Sequence, residues 1–561
     1  MLSNRPRTLL DLVHSDLSLR CLSRRERLAL GAICLCTLAL LAAFQRDRVF
    51  FGDEIGTLNY LKKSPGYILT HFTTHLSMNY FILVEKGIAW LCGAADWRLT
   101  LLPMAAAVAI IPLTASLTLK FTGSTRIALI AASLAALNPY LVMWGPAIRA
   151  YSLLVALSLL TIIEFFRWYR QRTWWSGARC AAVVLLLLLA HLNGAYTVAF
   201  LILLLGIETV SAGLSGGRKF LWESRTLWIP LAGAAVVVGA AYWHLLPGIA
   251  KVSREWGTDT PPTSMAYLPQ VFTAYMGAGY RAFLSGLLLL AGSWSAVREK
   301  RALLLLIGAI ILGPVLMSLQ GIAVQSSASA RYLISSLPLL LILMAEGIDW
   351  FARHMPKPRV AAAGAAWGLT AIIVLCWTPS VHAQFLVKKQ LPYARVAKFL
   401  HAQMRENDMI VAGWNVAFTL KQFFDQLEDH IVLPDAYVGK VVTRLDSPLR
   451  GRVFYVTGPS VLAGRMAPIR RFGALEVTTY SGRTARELLQ QWQEDLLRRT
   501  EGRVYAPFHN DYQLLALLEE RLPSGQSADH WRSLAEQCGA QRPSEYVPSH
   551  LLKATRAVMF P

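Results

Sequence analysis

The sequence predicts a polytopic α-helical membrane protein that ends in a soluble α/β domain, and three observations lead there. Of the 561 residues, 55% are hydrophobic and only 16% charged, against about 25% charged in soluble domains. The mean hydropathy is +0.41. Apolar runs long enough for a membrane recur up to residue 378 and then stop. The net charge of +21 comes from basic clusters such as SRRER (23–27), RWYRQR (167–172), VREKR (297–301) and RHMPKPR (353–359), which punctuate the apolar runs. That is the pattern of cytoplasmic loops under the positive-inside rule, and it argues against a nucleic-acid partner.

A polar arm, residues 1–27, precedes the first apolar run. The run has no small-residue cleavage site behind it and is read as a retained span. A hydrocarbon core of about 30 Å asks for roughly 20 apolar residues in helix. Candidate spans are 28–44, 79–95, 99–119, 127–144, 150–166, 180–190, 195–209, 227–247, 281–296, 302–319, 332–351 and 360–378, which gives a transmembrane domain over 28–378 with about 11–13 helices. With the basic clusters inside, the loops 45–78, 191–194, 248–280 and 320–331 face outward, together with everything after 379. Three apolar segments then lie between the first outer loop and Arg149, where an even number of crossings is needed. The segment 127–144, broken by NPY and GP, is read as a partial crossing.

Residues 379–561 read as an extracytoplasmic α/β domain. Apolar residues at helical spacing predict helices over 393–407, 414–427 and 483–499, and short apolar runs predict strands over 408–413, 451–458 and 502–507. Six of the seven cysteines lie before residue 379, and Cys538 alone falls in this domain, which excludes an internal disulfide there. It carries no Gly-rich phosphate loop and no nucleophile elbow, so support or acceptor binding is its expected role.

Polar residues placed against the apolar background mark the candidate chemistry. Asp53 and Glu54 stand together just after the first span, and HFTTHLSMNY (71–80) brings His71 and His75 to the mouth of the next. Arg149 and Tyr151 interrupt NPYLVMWGPAIRAYSLL, and Arg331 and Tyr332 do the same in SSASARYLISSLP. Basic residues on the outer side run against the positive-inside rule, and boundary charges are costly enough to be functional. Glu85 and Lys86 stand inside an apolar run and are assigned a structural partner within the bundle. His191 and Asn193 either line the same cavity or cap helix ends, and His244 and Lys251 border the large outer loop. Arginine recognises phosphate oxygens through two parallel N–H donors. A carboxylate deprotonates a hydroxyl acceptor while arginines stabilise a phosphate leaving group. The set therefore suits a reaction between a membrane-anchored phosphate and a polar acceptor.

The ordered motifs also carry a resemblance. The DE pair in the first outer loop, HLSMNYF from His75, WLCGAADWR ending at Arg98, IRAYS and ARYLISSLP resemble the membrane glycosyltransferases of the GT-C fold. The similarity is to the family 39/83-like branch, which contains protein O-mannosyltransferases and the lipid A aminoarabinose transferase. It covers residues 28–378, and YARVAKFL (393–400) resembles the helix that opens the outer domain of such enzymes. The resemblance implies a polyprenyl-phosphate sugar as donor, an envelope lipid, glycan or protein as acceptor, and residence in a bacterial inner membrane. It implies Asp53 as general base with Glu54 beside it, and Arg149, Tyr151, Arg331, Tyr332 and His75 around the donor phosphate. Ser77 stands where the family carries proline. The oligosaccharyltransferases of this fold place an acidic metal-binding motif after the equivalent arginine. AYSLLVALSLL follows Arg149 here, which implies no metal of that kind and no cofactor. The competing class is a transporter or flippase of polyprenyl-linked glycans, which would use the same arginines without a base. Such proteins often carry internal repeats, and none is evident. A scaffold for envelope assembly leaves the arginines and the DE pair unexplained.

The shared outward face is directly testable. Alkaline phosphatase fused after residue 60 and after residue 149 is expected to be active in both cases. Opposite sidedness of the two fusions removes the candidate centre.

Overall fold

The computed structural model describes residues 16–45, 53–70, 78–93, 97–214, 218–245, 268–319, 327–355, 359–387, 390–412, 431–432, 451–457, 470–472, 475–480 and a few positions besides. The chain divides into two units, Met1–Arg46 with Gly56–His382 and Asp47–Ile55 with Ala383–Pro561. The helices in chain order are α1 (Arg24–Gln45), α2 (Asp53–Leu61), α3 (Pro65–Thr70), α4 (Asn79–Cys92), α5 (Leu101–Thr122), α6 (Thr125–Leu137), α7 (Pro139–Trp144), α8 (Tyr151–Gln171) and α9 (Trp174–Ala190). They continue with α10 (Ala195–Leu214), α11 (Arg218–Tyr242), α12 (Leu268–Met276), α13 (Tyr280–Arg298), α14 (Leu304–Leu319), α15 (Leu337–His354), α16 (Arg359–Val387) and α17 (Gln390–Gln403). Among the described residues, eight helices are long and apolar enough to cross a membrane. The pair α12 and α13, bent by 101°, adds a ninth candidate, and α6 and α9 are shorter apolar helices. This is a polytopic helical membrane protein.

Polar contacts sort the helix ends of the first unit into two groups. At one end Lys120 on α5 donates to the Leu17 carbonyl at 3.1 Å, and the Arg170 guanidinium on α8 pairs with Asp16 at 2.6 Å. Glu164 holds Arg167 at 2.6 Å and Arg179 at 3.0 Å, tying α8 to the start of α9. Tyr169 donates to Glu208 on α10, and Arg172 reaches Glu223 on α11. Arg126 at the start of α6 pairs with Asp349 near the end of α15, where Glu346 also takes Lys300 at 2.8 Å. This is the basic end. At the other end the Asn138 amide after α6 donates to the Tyr275 carbonyl at 3.0 Å, and the Trp377 indole on α16 donates to the Met276 carbonyl at 3.1 Å. Tyr80 on α4 bonds the Ala241 carbonyl, and the Tyr242 hydroxyl reaches the Leu188 carbonyl.

This sorting corrects the parity reading. The helix α6 begins at the Asp349 end and finishes at the Tyr275 end, so residues 127–144 hold a short apolar helix of 13 residues that runs between the two groups, followed by a shorter one. The break is physical: Asn138 caps α7 by accepting from the Tyr140 and Leu141 amides, and Pro139 takes the first helical position. The segment that does not traverse is α4. It both follows and precedes helix ends of the same group. The reading of Glu85 and Lys86 is also half corrected. Lys86 does find a structural partner, donating to the Leu61 carbonyl at 2.7 Å, whereas the carboxylate of Glu85 is fully buried with no hydrogen-bond partner among the described residues.

Close helix packing sets α13 against α15. A Cβ at Gly292 would come 2.0 Å from the Leu343 carbonyl oxygen, and one at Gly347 would come 2.0 Å from that of Leu288. Only hydrogen in place of a side chain lets the two backbones approach this closely.

In the second unit a five-stranded sheet has the order β2-β1-β3-β5-β4, with β1 (Met409–Ala412), β2 (Ile431–Val432), β3 (Val453–Thr457), β4 (Arg470–Phe472) and β5 (Leu475–Tyr480). The strand β1 pairs parallel with β2 and β3, and β5 pairs antiparallel with β3 and β4. Tyr393, Val396, Ala397 and Leu400 line one face of α17 and pack on Ile410, Phe454, Val456 and Val477. Asp408 ties the starts of β1 and β3 together: its carboxylate accepts from the Arg405 and Arg452 amides and from the Arg452 guanidinium. Burial raises the Asp408 pKa, but these bonds outweigh it and hold the carboxyl below its ordinary value. The strands predicted at 408–413 and 451–458 are present as β1 and β3, and α17 covers most of 393–407. The β4–β5 hairpin was not anticipated, because RRFGALEVTTY lacks a clean alternation. The predicted helices at 414–427 and 483–499 lie outside the described residues apart from isolated positions, as do the strand at 502–507 and Cys538.

Gly292→Val is expected to lower thermal stability in detergent by about 3 kcal/mol or more, since backbone has to move. Gly233→Ala and Gly239→Ala, where an added Cβ meets nothing within 4 Å, serve as controls and are expected to stay near wild type.

Candidate functional site

Arg149 lies in the bend between α7 and α8 and is only 4% exposed. It does not spread toward lipid headgroups, as an arginine at a helix end can. One guanidinium nitrogen donates to the Thr57 hydroxyl at 3.4 Å and another to the Tyr151 hydroxyl at 3.5 Å, with the charge 5.6 Å from the Tyr151 ring centre. Tyr151 opens α8 and is itself buried, held between Trp144 at 4.6 Å and His191 at 5.5 Å between ring centres. The Ser152 hydroxyl donates to the Trp144 carbonyl and closes the bend.

His191 follows α9 and is buried. Its Nδ1 accepts the backbone N–H of Asn193 at 3.1 Å, so it caps the turn Leu192–Gly194. Burial first, and then the charges of Arg149 and Arg331, push its pKa down to about 3. The imidazole is therefore neutral. The Asn193 amide in turn donates to the Tyr332 carbonyl at 3.3 Å, which fastens the 3-10 segment Ser327–Ser336 to this turn. Within that segment the Arg331 guanidinium reaches the Tyr332 hydroxyl at 3.3 Å and lies 5.2 Å from its ring centre. A second fastening comes from Tyr275, whose hydroxyl donates to the Ala330 carbonyl at 2.6 Å.

The structure thus brings Arg149, Tyr151, His191, Arg331 and Tyr332 to one end of the first unit. The two arginine–tyrosine pairs repeat one arrangement, a guanidinium over its neighbour's ring, on two different elements. Thr57, Trp144 and Asn193 complete the surroundings, and the sequence reading had left Thr57 and Trp144 out. Nothing about a lone Thr or Trp signals such a role before the fold is known. Glu54 belongs to the second unit, where it is buried and paired with the equally buried Arg48. The backbone of Asp53 begins α2. His71, His75 and Lys251 lie outside the described residues, and for His244 only the backbone, in the turn Trp243–Leu245, is described. Among the described residues, no three His, Cys, Asp or Glu side chains converge as metal ligands do.

No protein-family model and no curated protein matches the chain. Among solved structures it is similar to ArnT from Cupriavidus metallidurans in the apo state, with 12% identity and a TM-score of 0.46 over 82% of this chain and 98% of that one. It is similar also to ArnT from Cupriavidus metallidurans bound to undecaprenyl phosphate, with 13% identity and a TM-score of 0.46 over 80% of this chain and 97% of that one.

Asn138 connects the α7 cap to Tyr275 and so to the Arg331 segment. Asn138→Ala is expected to cost about 2 kcal/mol, a helix cap and a buried hydrogen bond together, measured as thermal unfolding in detergent. A change below about 0.5 kcal/mol contradicts the arrangement.

Proposed function

We propose that the protein is an integral-membrane glycosyltransferase that moves a sugar from a polyprenyl-phosphate donor to an envelope acceptor on the outer face of a bacterial inner membrane. The observation that carries this reading is a buried Arg149 beside Tyr151, which packs on His191, with the segment that bears Arg331 fastened to the same turn through Asn193. Two arginines at one end of the first unit suit an anion with several oxygens, and phosphate on a lipid is an anion available at a membrane. The motif resemblance to GT-C enzymes points the same way.

In this mechanism Asp53 takes the proton of the acceptor hydroxyl as that oxygen forms its bond to the anomeric carbon. The bond from the anomeric carbon to the phosphate oxygen breaks on the opposite side, and its electron pair leaves on the phosphate. Arg149 and Arg331 stabilise the charge that develops there, a contribution that grows as solvent is excluded. Tyr151 and Tyr332 hold the guanidinium planes. Glu54, held by Arg48, keeps the start of α2 in place beside the base. The basic end of the bundle faces the cytoplasm, in keeping with the positive-inside rule, and the second unit is extracytoplasmic.

The test uses purified protein in detergent, a lipid-linked sugar and candidate acceptors, where transport has no meaning and only a covalent product counts. Wild type is expected to form product. Asp53→Asn is expected to abolish transfer while the protein still folds, and Arg149→Ala to raise the donor KM at least tenfold with little change in the acceptor KM. Binding of the lipid donor without any product formation would favour the flippase reading instead.

A further inference from the structure

Both ends of α4 are tied to the same end of the first unit. At its start Phe81 and Ile82 pack on Ile68 of α3 and on Ala150, the residue before α8, with Leu102 of α5 against the same cluster. The Tyr80 hydroxyl donates to the Ala241 carbonyl at 3.0 Å, and its ring meets that of Tyr242 edge-on at the end of α11. In the middle Lys86 donates to the Leu61 carbonyl of α2. At its close the Arg98 guanidinium donates to the Cys92 carbonyl, and α5 begins at Leu101. A helix running along the bundle would carry its last turn away from the start of α5. This one keeps it there.

The two sides of α4 differ sharply in their surroundings. At 3.6 residues per turn Phe81, Ile82 and Glu85 share one side, and all three are buried. Tyr80, Leu83, Val84, Gly87, Trp90 and Leu91 share the opposite side, with Trp90 84% and Leu91 74% exposed. No charged residue lies on that exposed side. It runs on into surface that the spans already present to lipid: Trp97 and Leu101 lead into α5, and Trp243 follows α11, where Val236 and Val237 are exposed. Cations flank it. Lys62 and Lys63 are exposed just after the carbonyl that Lys86 reaches, with Lys63 5.6 Å from the Tyr67 ring centre, and Arg98 lies 5.3 Å from that of Trp97. An apolar face bounded by tryptophan and by cations is the make-up of a helix lying in a membrane interface.

We infer that α4 lies parallel to the membrane plane, with its exposed side set into the leaflet at this end, against phospholipid acyl chains. Lys62, Lys63 and Arg98 then stand where the headgroup phosphates are. Because Ala150 packs on the buried side, the bend that carries Arg149 is held at the level of this helix. The inference does not depend on the proposed reaction.

The experiment uses the full chain with its native cysteines, the buried Cys180 excepted, replaced by serine. A nitroxide is attached at Val84→Cys, Gly87→Cys or Leu91→Cys, and the protein is placed in nanodiscs of phosphatidylethanolamine and phosphatidylglycerol. An added Cβ at Gly87 meets nothing within 4 Å, so that variant is expected to keep the packing of wild type. Depth is read from collisions with oxygen, which partitions into acyl chains, against collisions with a nickel chelate, which stays in water. All three labels are expected at one common depth, about 5–10 Å into the boundary between headgroups and acyl chains. A helix lying along the bundle would separate positions 84 and 91 by about 10 Å, and that result overturns the inference. Free access of the chelate at all three positions leaves the face in water and overturns it too. Low access for both reagents, with spin–spin broadening, assigns the face to a second copy of the chain and overturns it as well. A label on Cys92, exposed at the end of this helix, needs no substitution in α4. Together with Gly87→Cys it carries the comparison should the other variants fail to fold.

Discussion

A guanidinium held nearly out of solvent in the bend between α7 and α8 is the constraint on which the rest of this end depends. Taking an ion of that size out of water costs several kcal/mol even after relaxation, and inside a bundle lipid offers nothing in return. The surrounding polar atoms are therefore committed. The Thr57 hydroxyl and the Tyr151 hydroxyl both take hydrogen bonds from Arg149, and the Tyr151 ring is wedged by Trp144 on one side and His191 on the other. Each of these holds another element in turn. His191 caps the turn that carries Asn193, and Asn193 fastens the segment bearing the second arginine. The site is a consequence of satisfying one buried charge.

The opposite end solves a similar problem by another route. There Glu164, Glu346 and Asp349 are buried, and each is met by one or more Lys or Arg side chains that retain solvent contact. Breaking such a pair strands a buried carboxylate, so these contacts fix the helix ends while contributing little net energy of their own. At the other end the groups around His191 are mainly donors. The contrast between a charge-balanced end and a donor-rich end is what makes one read as scaffold and the other as a place for an anion. Glu85 stands apart from both, a buried carboxyl with no hydrogen-bond partner among the described residues, and the structure gives no physical account of it.

Local signals carried some of these features and not others. Arg149 and Arg331 were visible in sequence because a charge in an apolar run has no cheap explanation. Asn138 and Pro139 announced a break because their side chains and ring act on the backbone within one turn. The same break misled the count of crossings. A cap marks where one helix ends and says nothing of whether the preceding helix reached the far side. That required Arg126 to find Asp349 and Asn138 to find Tyr275, contacts across more than a hundred residues. Hydropathy likewise ended the last span near residue 378, whereas α16 runs on to Val387 through Pro379.

The sequence by itself determined that the chain is a helical membrane protein with an α/β region after it, since burial of apolar length and the periodicity of short segments are local properties. It also determined which residues are anomalous, because the penalty for a charge depends on its immediate neighbours. Only the tertiary structure decided that α6 runs between the two ends of the first unit while α4 stays at one, that two glycines bring α13 and α15 into backbone contact, and that Thr57 and Trp144 belong beside Arg149. Those are matters of which distant atoms meet, and the free energy of a contact exists only once the chain has closed the loop between its partners.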